Sequence, residues 1–363
     1  MSEGPTEPAG PPAPGQPAAG EAAERRDQAA VTPPLASRLI VAVAERLGVA
    51  VCLEPEYGYA GQLTLSNGRR RYFRGTHLDL NGLGAAAIAT DKAYAAYFLA
   101  RLGYPVPEGQ TFYSDAWCRT IGSRRDANAA YAYARALGWP VIVKPNGKGQ
   151  GVAVAKAYNR RELERALRAV FTLAQDRVAL VQRPAAGDDY RLVVLDGAVL
   201  AAYQRLPLAV VGDGVSSVRE LLARRQARLR AAGRPAGIVP DEARLRARLR
   251  RDGLTLDAVP AGRTRVVLLD NANLSAGGEA VDVLDRLHPG YADLAARIAR
   301  DLGLRFCGVD LLSEDGLDRP PRRYTVLEVN AAPGLAHYAA SGPRQRQTVE
   351  AIYERLLRAL VGA

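Results

Sequence analysis

Cysteine, histidine and lysine are all scarce in this 363-residue chain. The three cysteines, Cys52, Cys118 and Cys307, lie far apart and show no Cys-x-x-Cys spacing. That argues against a disulfide framework or a zinc site and fits a reducing, cytoplasmic setting. His77, His288 and His337 are the only histidines, too few and too scattered for a histidine-based metal centre. Long apolar runs are also missing, so no segment is expected to span a bilayer and no membrane partner is expected. The opening residues, MSEGPTEPAGPPAPG, lack the basic start and apolar stretch of a secretory signal. The Pro, Ala, Gly and Glu content of residues 1–34 cannot bury enough surface to fold, so a disordered tail is expected there.

Of 49 basic residues, only Lys92, Lys144, Lys148 and Lys156 are lysines. Arginine is otherwise used throughout, which makes these four conspicuous. Lysine is a compact point charge with three rotatable donors, and a phosphate held in a tight pocket is one setting that prefers it to a planar fork. The net charge of +11 invites a nucleic-acid partner. Its distribution argues against one. Much of the excess is arginine in 219–251, where DEARLRARLRR spaces Leu245 and Leu249 as one face of an amphipathic helix. No aromatic residues are interleaved there for base stacking.

What is present reads as a mixed α+β chain. The spacing predicts helices over 35–49, 85–103, 128–137, 160–174, 291–304 and 347–360. Asn67-Gly68 and Asp196-Gly197 sit between strand-like runs and predict hairpins. WPVIVKP, VALVQRP, RTRVVLLDN, FCGVDLL and RYTVLEVN read as further strands.

Two places could carry chemistry. In VIVKPNGKGQGV, Lys144 ends a strand and a glycine-rich loop follows. Such a loop can offer backbone N–H groups to phosphate oxygens. Neither the Walker pattern nor G-x-G-x-x-G is present, so a ligand-free hairpin is an equal reading of this stretch alone. In the C-terminal strands, Asp310 lies within GVDLL, and Glu328 and Asn330 lie on one side of TVLEVN. A buried carboxylate needs either an arginine or a cation beside it. Asp, Glu and Asn are hard oxygen donors of the kind that hold Mg²⁺.

The order of DK, VIVKP, glycine loop, DDYR, GVD and LEVN resembles the ATP-grasp superfamily. The likeness is to the ATP-grasp portions of cyanophycin synthetase and of bifunctional glutathione synthetase, over roughly 75–340. It implies two α+β subdomains gripping ATP, at 86–180 and 181–363, after a short N-terminal unit at 35–85. It implies that Lys92 and Lys144 contact the phosphates of ATP and that Asn146, Gly147, Lys148, Gly149 and Gly151 close over them. Gln182 would stand at the adenine hinge and Asp189 at the ribose. Asp310, Glu328 and Asn330 would hold Mg²⁺, with Mn²⁺ a substitute, and Arg191 and Arg205 would lie near the reacting groups.

Two departures point to a different substrate or nucleotide contact. The hinge reads Val181-Gln182-Arg183, without the family's glutamates, and Leu335 to Tyr338 follow VNAAPG where the relatives carry arginine and histidine. The chain also lacks the further modules of both relatives, which suggests a free-standing ligase domain. The resemblance implies an ADP-forming carboxylate–amine ligase that joins amino acids or small peptides through an acyl-phosphate, and it allows a homo-oligomer. Ligation onto a protein or peptide terminus, and a non-catalytic nucleotide-binding scaffold, stay open beside it.

Overall fold

The computed structural model describes residues 32–231 and 242–362. The tail expected at 1–34 lies outside them except for its last three residues. The first helix, α1 (Leu35–Arg46), buries Leu39, Ile40, Val43 and Ala44, as its spacing predicts. A meander follows: β1 (Ala50–Leu53), β2 (Ala60–Thr64), β3 (Arg70–Arg74) and β4 (His77–Leu78), each antiparallel to the last. Its central turn is at Asn67-Gly68, where Gly68 takes φ +79°.

The helix expected over 85–103 is two helices, α2 (Leu83–Thr90) and α3 (Lys92–Arg101). Asp91 breaks the run. Its backbone is extended and its side chain accepts the Tyr94 N–H, making it the N-cap of α3. Apolar periodicity continues across the break, and only the capping aspartate marked it.

A four-stranded sheet is built from β5 (Gly109–Tyr113), β6 (Val141–Pro145), β7 (Ala155–Ala157) and β8 (Val178–Gln182) in the order β5-β8-β6-β7. The helices α4 (Asp115–Ile121), α5 (Ala127–Leu137) and α6 (Arg160–Thr172) lie between these strands in the chain. Strand alternation divides the faces. Val141, Val143, Ala179 and Val181 pack with Ala130, Ala134, Leu163 and Leu167 in one apolar core. Ile142, Lys144, Leu180 and Gln182 take the opposite face.

The larger sheet uses β9 (Asp188–Leu195) and β10 (Ala198–Leu206), joined at Asp196-Gly197 as expected. Next come β11 (Ala209–Val211), α7 (Val218–Ala231), α8 (Glu242–Arg251) and β12 (Arg265–Val267). The strand expected over 263–271 is confined to the three residues of β12, which pair with β11. The chain ends with β13 (Glu279–Asp282), α9 (Pro289–Asp301), β14 (Phe306–Ser313), β15 (Tyr324–Asn330), α10 (Ala336–Ala339) and α11 (Pro343–Val361). The sheet order is β13-β10-β9-β14-β15, with every neighbouring pair antiparallel.

One face of this sheet carries Leu192, Val194, Cys307, Val309 and Leu311, which pack with Tyr291, Leu294 and Ile298 of α9. The other face changes character along the strands. At one end Val193, Leu195, Ala201, Tyr203 and Phe306 pack with α1 and α11. At the other end the same rows continue as Arg191, Asp189, Arg205 and Asp310. The core stops where those charges begin, and that point is the site. No helix among the described residues is long and apolar enough to cross a membrane.

Candidate active site

The antiparallel register brings together charges that the chain separates by over a hundred residues. Asp310 pairs with Arg191 on one side and Glu328 on the other. Its side chain is fully buried. Arg191 donates through Nε to Oδ1 and through Nη2 to Oδ2, both at 2.6 Å. Arg205 Nη1 donates to Asp310 Oδ2 at 2.9 Å, and its Nε and Nη2 hold Asp189 Oδ1 at 2.8 and 2.6 Å. Burial works against the Arg191 cation, but Asp310 outweighs it and holds that guanidinium well above its usual range. Burial pushes the Asp189 carboxyl up to about 6, against the pull of Arg205.

Glu328 stands at the next strand. Lys92 Nζ lies 3.6 Å from its Oε2. Asn330 Nδ2 donates to Glu328 Oε1 at 3.2 Å and approaches Asp310 Oδ2 at 3.5 Å. Burial alone would raise the Glu328 carboxyl, but Lys92, Lys144, Arg191 and Arg205 together hold it far below the carboxylate range. It is therefore ionised at neutral pH. Burial lowers Lys144 to about 8, with Glu328 pulling upward and Lys92 downward.

This donor set fits a hard divalent cation. Two carboxylates and an amide converge, and a half-turn of the Asn330 amide presents its oxygen. Three arginine N–H groups occupy Asp310, leaving one of the roughly four lone-pair directions of a carboxylate. Among the described residues no three His, Cys, Asp or Glu side chains form a cage. A cation here would rely on few protein ligands and on substrate oxygens, which is the habit of Mg²⁺.

The glycine loop is tied down at its base and docked at its tip. Asn146 Nδ2 donates to Asp91 Oδ2 at 2.7 Å, and Asn146 Oδ1 accepts the Ala93 N–H at 2.9 Å. Lys92 Nζ donates to the Lys148 carbonyl at 2.6 Å. The Gly147 N–H is held by Asp176 Oδ2 at 2.8 Å. Across the cleft, Ser275 Oγ donates to the Gln150 carbonyl at 3.0 Å. Gly151 has φ +69°, and a Cβ there would lie 2.7 Å from Asn271 Nδ2, so a larger residue would be strained and would displace the asparagines of the 271–275 turn. Gly147, Lys148 and Gly149 are exposed.

Of the residues singled out in the sequence, Lys92, Lys144, Arg191, Arg205, Asp189, Asp310, Glu328 and Asn330 form this one charged cluster. Asn146 joins it through Asp91 and the backbone of Lys92. Gln182 is buried on the same sheet face as Lys144, one register step away, with no hydrogen bond to the cluster among the described residues. Asp91, Asp176 and the 271–275 turn were not singled out for a role. Only the adjacency of Asp91 to Lys92 and the polar run NANLS hinted at them. The arginines of α8 are also partly engaged. Arg251 stacks on the Tyr158 ring at 4.2 Å, and Arg244 Nη2 donates to the Val154 carbonyl at 2.8 Å.

Two antiparallel sheets facing each other across a cleft, with Lys144 on a strand of one, Lys92 at the start of α3 and the carboxylates on the other, have the arrangement of the ATP-grasp fold. Residues 98–208 match the family described as D-ala D-ala ligase C-terminus, and the chain has the ATP-grasp fold. It is 33% identical over 289 residues to the cyanophycin synthetase of Nostoc sp. (strain PCC 7120 / SAG 25.82 / UTEX 2576), which covers 77% of this chain and 30% of that protein. It is 30% identical over 278 residues to the glutathione biosynthesis bifunctional protein GshAB of Mannheimia succiniciproducens, covering 73% of this chain and 35% of that protein. The chain thus spans about a third of the length of the curated relatives it matches. The bifunctional glutathione synthetase of Pasteurella multocida superposes with a TM-score of 0.56 at 25% identity, over 89% of this chain and 44% of that one. The α+β class and the ATP-grasp architecture expected from the sequence are those found.

Proposed function

We propose that this chain is an ATP- and Mg²⁺-dependent carboxylate–amine ligase. It joins an amino acid or small peptide to an amine with release of ADP and phosphate. The observation that carries this reading is the meeting of Lys92 and Lys144 with ionised Glu328, beside Asp310 and Asn330.

A substrate carboxylate oxygen attacks the γ-phosphorus of ATP. The bond from that phosphorus to the bridging oxygen breaks, and ADP leaves. An amine nitrogen then attacks the acyl carbon, phosphate departs with the C–O electrons, and the departing phosphate takes the nitrogen's proton. Lys92 and Lys144 neutralise the phosphate oxygens in a site already ordered for charge. Asp310, Glu328 and Asn330 would hold Mg²⁺, which when bound adds further neutralisation of those oxygens. The 146–151 loop keeps water from the acyl-phosphate. Arg191 and Arg205 fix Asp310 and Asp189, so their part is to position the carboxylates. By the resemblance, Gln182 would meet the base and Asp189 the sugar of the nucleotide.

Hydroxylamine in place of the amine tests this chemistry. Wild type with ATP, Mg²⁺ and a panel of amino acids and peptides is expected to give a hydroxamate, and Glu328→Gln none. Full turnover in Glu328→Gln would remove the proposed metal ligand from the site. ATP binding with neither hydroxamate nor phosphate release would point instead to a non-catalytic nucleotide-binding scaffold. The net charge of +11 favours a second reading, addition of an amino acid to an acidic peptide or protein terminus. Its mark would be a peptide KM that rises steeply with salt.

Asp91 offers a cleaner separation of roles. It caps α3 and also holds Asn146. Asp91→Ala is expected to lose about 1 kcal/mol of stability and roughly 10- to 100-fold in kcat/KM for ATP through the displaced loop. Asp91→Ser restores a cap but cannot reach both partners. Its melting temperature should recover while its kcat/KM does not. Joint recovery would show that Asp91 serves the helix alone.

A further inference from the structure

A cavity of about 690 Å³ opens between α7, β11 and the edge strand β13. No residue lining it belongs to the charged cluster described above. Its walls combine apolar side chains, such as Val210, Leu221 and Val281, with three arginines from α7, Arg224, Arg225 and Arg228. The arginines are unequal. Arg224 is paired with Asp213 at 3.3 Å, and Asp213 also holds the Val215 and Ser216 N–H groups. Arg225 Nη1 donates to Glu279 at 2.8 Å and its Nη2 to the Gly277 carbonyl at 3.1 Å, but its buried Nε–H has no acceptor. Arg228 makes no ion pair or hydrogen bond among the described residues. Three cations therefore face two carboxylates, Asp213 and Glu279. The surplus is one guanidinium and one buried N–H.

The cavity lies beside the proposed reaction centre. Ala280, in its wall, is the cross-strand partner of Arg205. Such partners share a face, with Cβ atoms about 5 Å apart. Arg205 in turn holds Asp189 and Asp310.

The geometry points to a binding site for a free carboxylate, carried by the amino acid or short peptide that this enzyme ligates, with Arg228 as its donor and Arg225 as the neighbouring cation. This rests on the ligase reading and gives it a substrate class: an acid whose anionic end is anchored away from the reacting group. The volume suits a few residues of peptide, since pockets for small ligands run to about 300–1,000 Å³. The apolar wall accepts the aliphatic part of such a ligand. An unpaired guanidinium recognises a carboxylate bidentately.

The test is equilibrium dialysis of the full chain, with a non-hydrolysable ATP analogue and Mg²⁺. The probes are a set of tripeptides with free C-termini and the same set amidated. Retention is read by mass spectrometry. Saturable retention of free-acid peptides over their amides, weakened at least tenfold in Arg228→Ala, is the expected result. Arg228 is exposed, so this change leaves the core untouched. Nucleotide affinity equal to wild type serves as the control for folding. Arg225→Gln, which keeps a donor but loses the charge, should weaken retention less than Arg228→Ala does. Equal retention of acids and amides, equal retention by wild type and Arg228→Ala, or no retention at all would overturn the carboxylate site, whatever the turnover. Selective retention without any ATP-dependent hydroxamate would overturn the ligase reading and leave the site standing.

Discussion

Lys144→Ala is expected to lower ATP-dependent turnover by roughly 100- to 1,000-fold, the range for removing one preorganised donor from a developing negative charge. The fold should survive, because the lost group is a buried cation that burial already disfavours. The pH dependence of the wild type gives an independent check. Burial brings the Lys144 ammonium down to about 8. Only the protonated form attracts phosphate, and a bound phosphate raises that pKa again. Nucleotide affinity should therefore be flat below about pH 8, fall as pH rises beyond it, and be accompanied by proton uptake there. The sign for stability follows from the same shift. A lysine whose folded pKa lies below its unfolded 10.5 penalises the fold increasingly as pH falls from about 10.5 to about 8, with no further change below. Lys144→Met should remove both effects. An affinity profile that stays flat to pH 10 in the wild type would take Lys144 out of the phosphate site.

Asp310→Ala should show the largest effect on stability, about 3–5 kcal/mol, as expected when one partner of a buried ion pair is removed. Asp310 is the shared acceptor of Arg191 and Arg205 and is itself fully buried. Without it Arg191 loses both of its carboxylate bonds, and Arg205 keeps only Asp189. Asp310→Asn retains one acceptor oxygen and should cost less, while still lacking the charge a divalent cation requires. Chemical denaturation of the two variants separates the effects. If Asp310→Ala unfolds at the wild-type midpoint, the two arginines are not held by this carboxylate in solution. If Asp310→Asn is stable and fully active, the cation assignment falls while the ion-pair network stands.

Much of this site was legible because its parts follow local rules. Lys144 at a strand end, glycines after it, and Glu328 and Asn330 two apart in a strand are all statements about neighbours in the chain. The amphipathic helices α6, α9 and α11 and the turns at Asn67-Gly68 and Asp196-Gly197 are equally local. Rarity also helped. With four lysines in the chain, three of them in or beside one cleft are visible before any fold is known.

Local rules gave out where a choice depended on what lay across the cleft. A carboxylate in an apolar strand demands either an arginine or a cation, and nothing near Asp310 in the chain says which. The pairing of β14 with β9 supplies the arginine, because the register sets Arg191 directly opposite Asp310, and it leaves one lone-pair direction of the carboxylate for a cation. Apolar periodicity made α2 and α3 one helix, since a break of one residue leaves the pattern intact. The capping geometry of Asp91 separates them and turns Lys92 toward the loop.

The sequence by itself determined the α+β class, most of the helices and hairpins, and the residue types able to hold phosphate and a hard cation. Only the tertiary structure decided which of those residues meet, that Arg191 and Arg205 brace carboxylates, and that an arginine-lined cavity lies one strand from Arg205. Backbone preference and hydrophobic period act within a few residues, so one chain can carry them. The ion pairs on Asp310 depend on strands brought together from over a hundred residues apart, and these partners exist only once the sheet has formed.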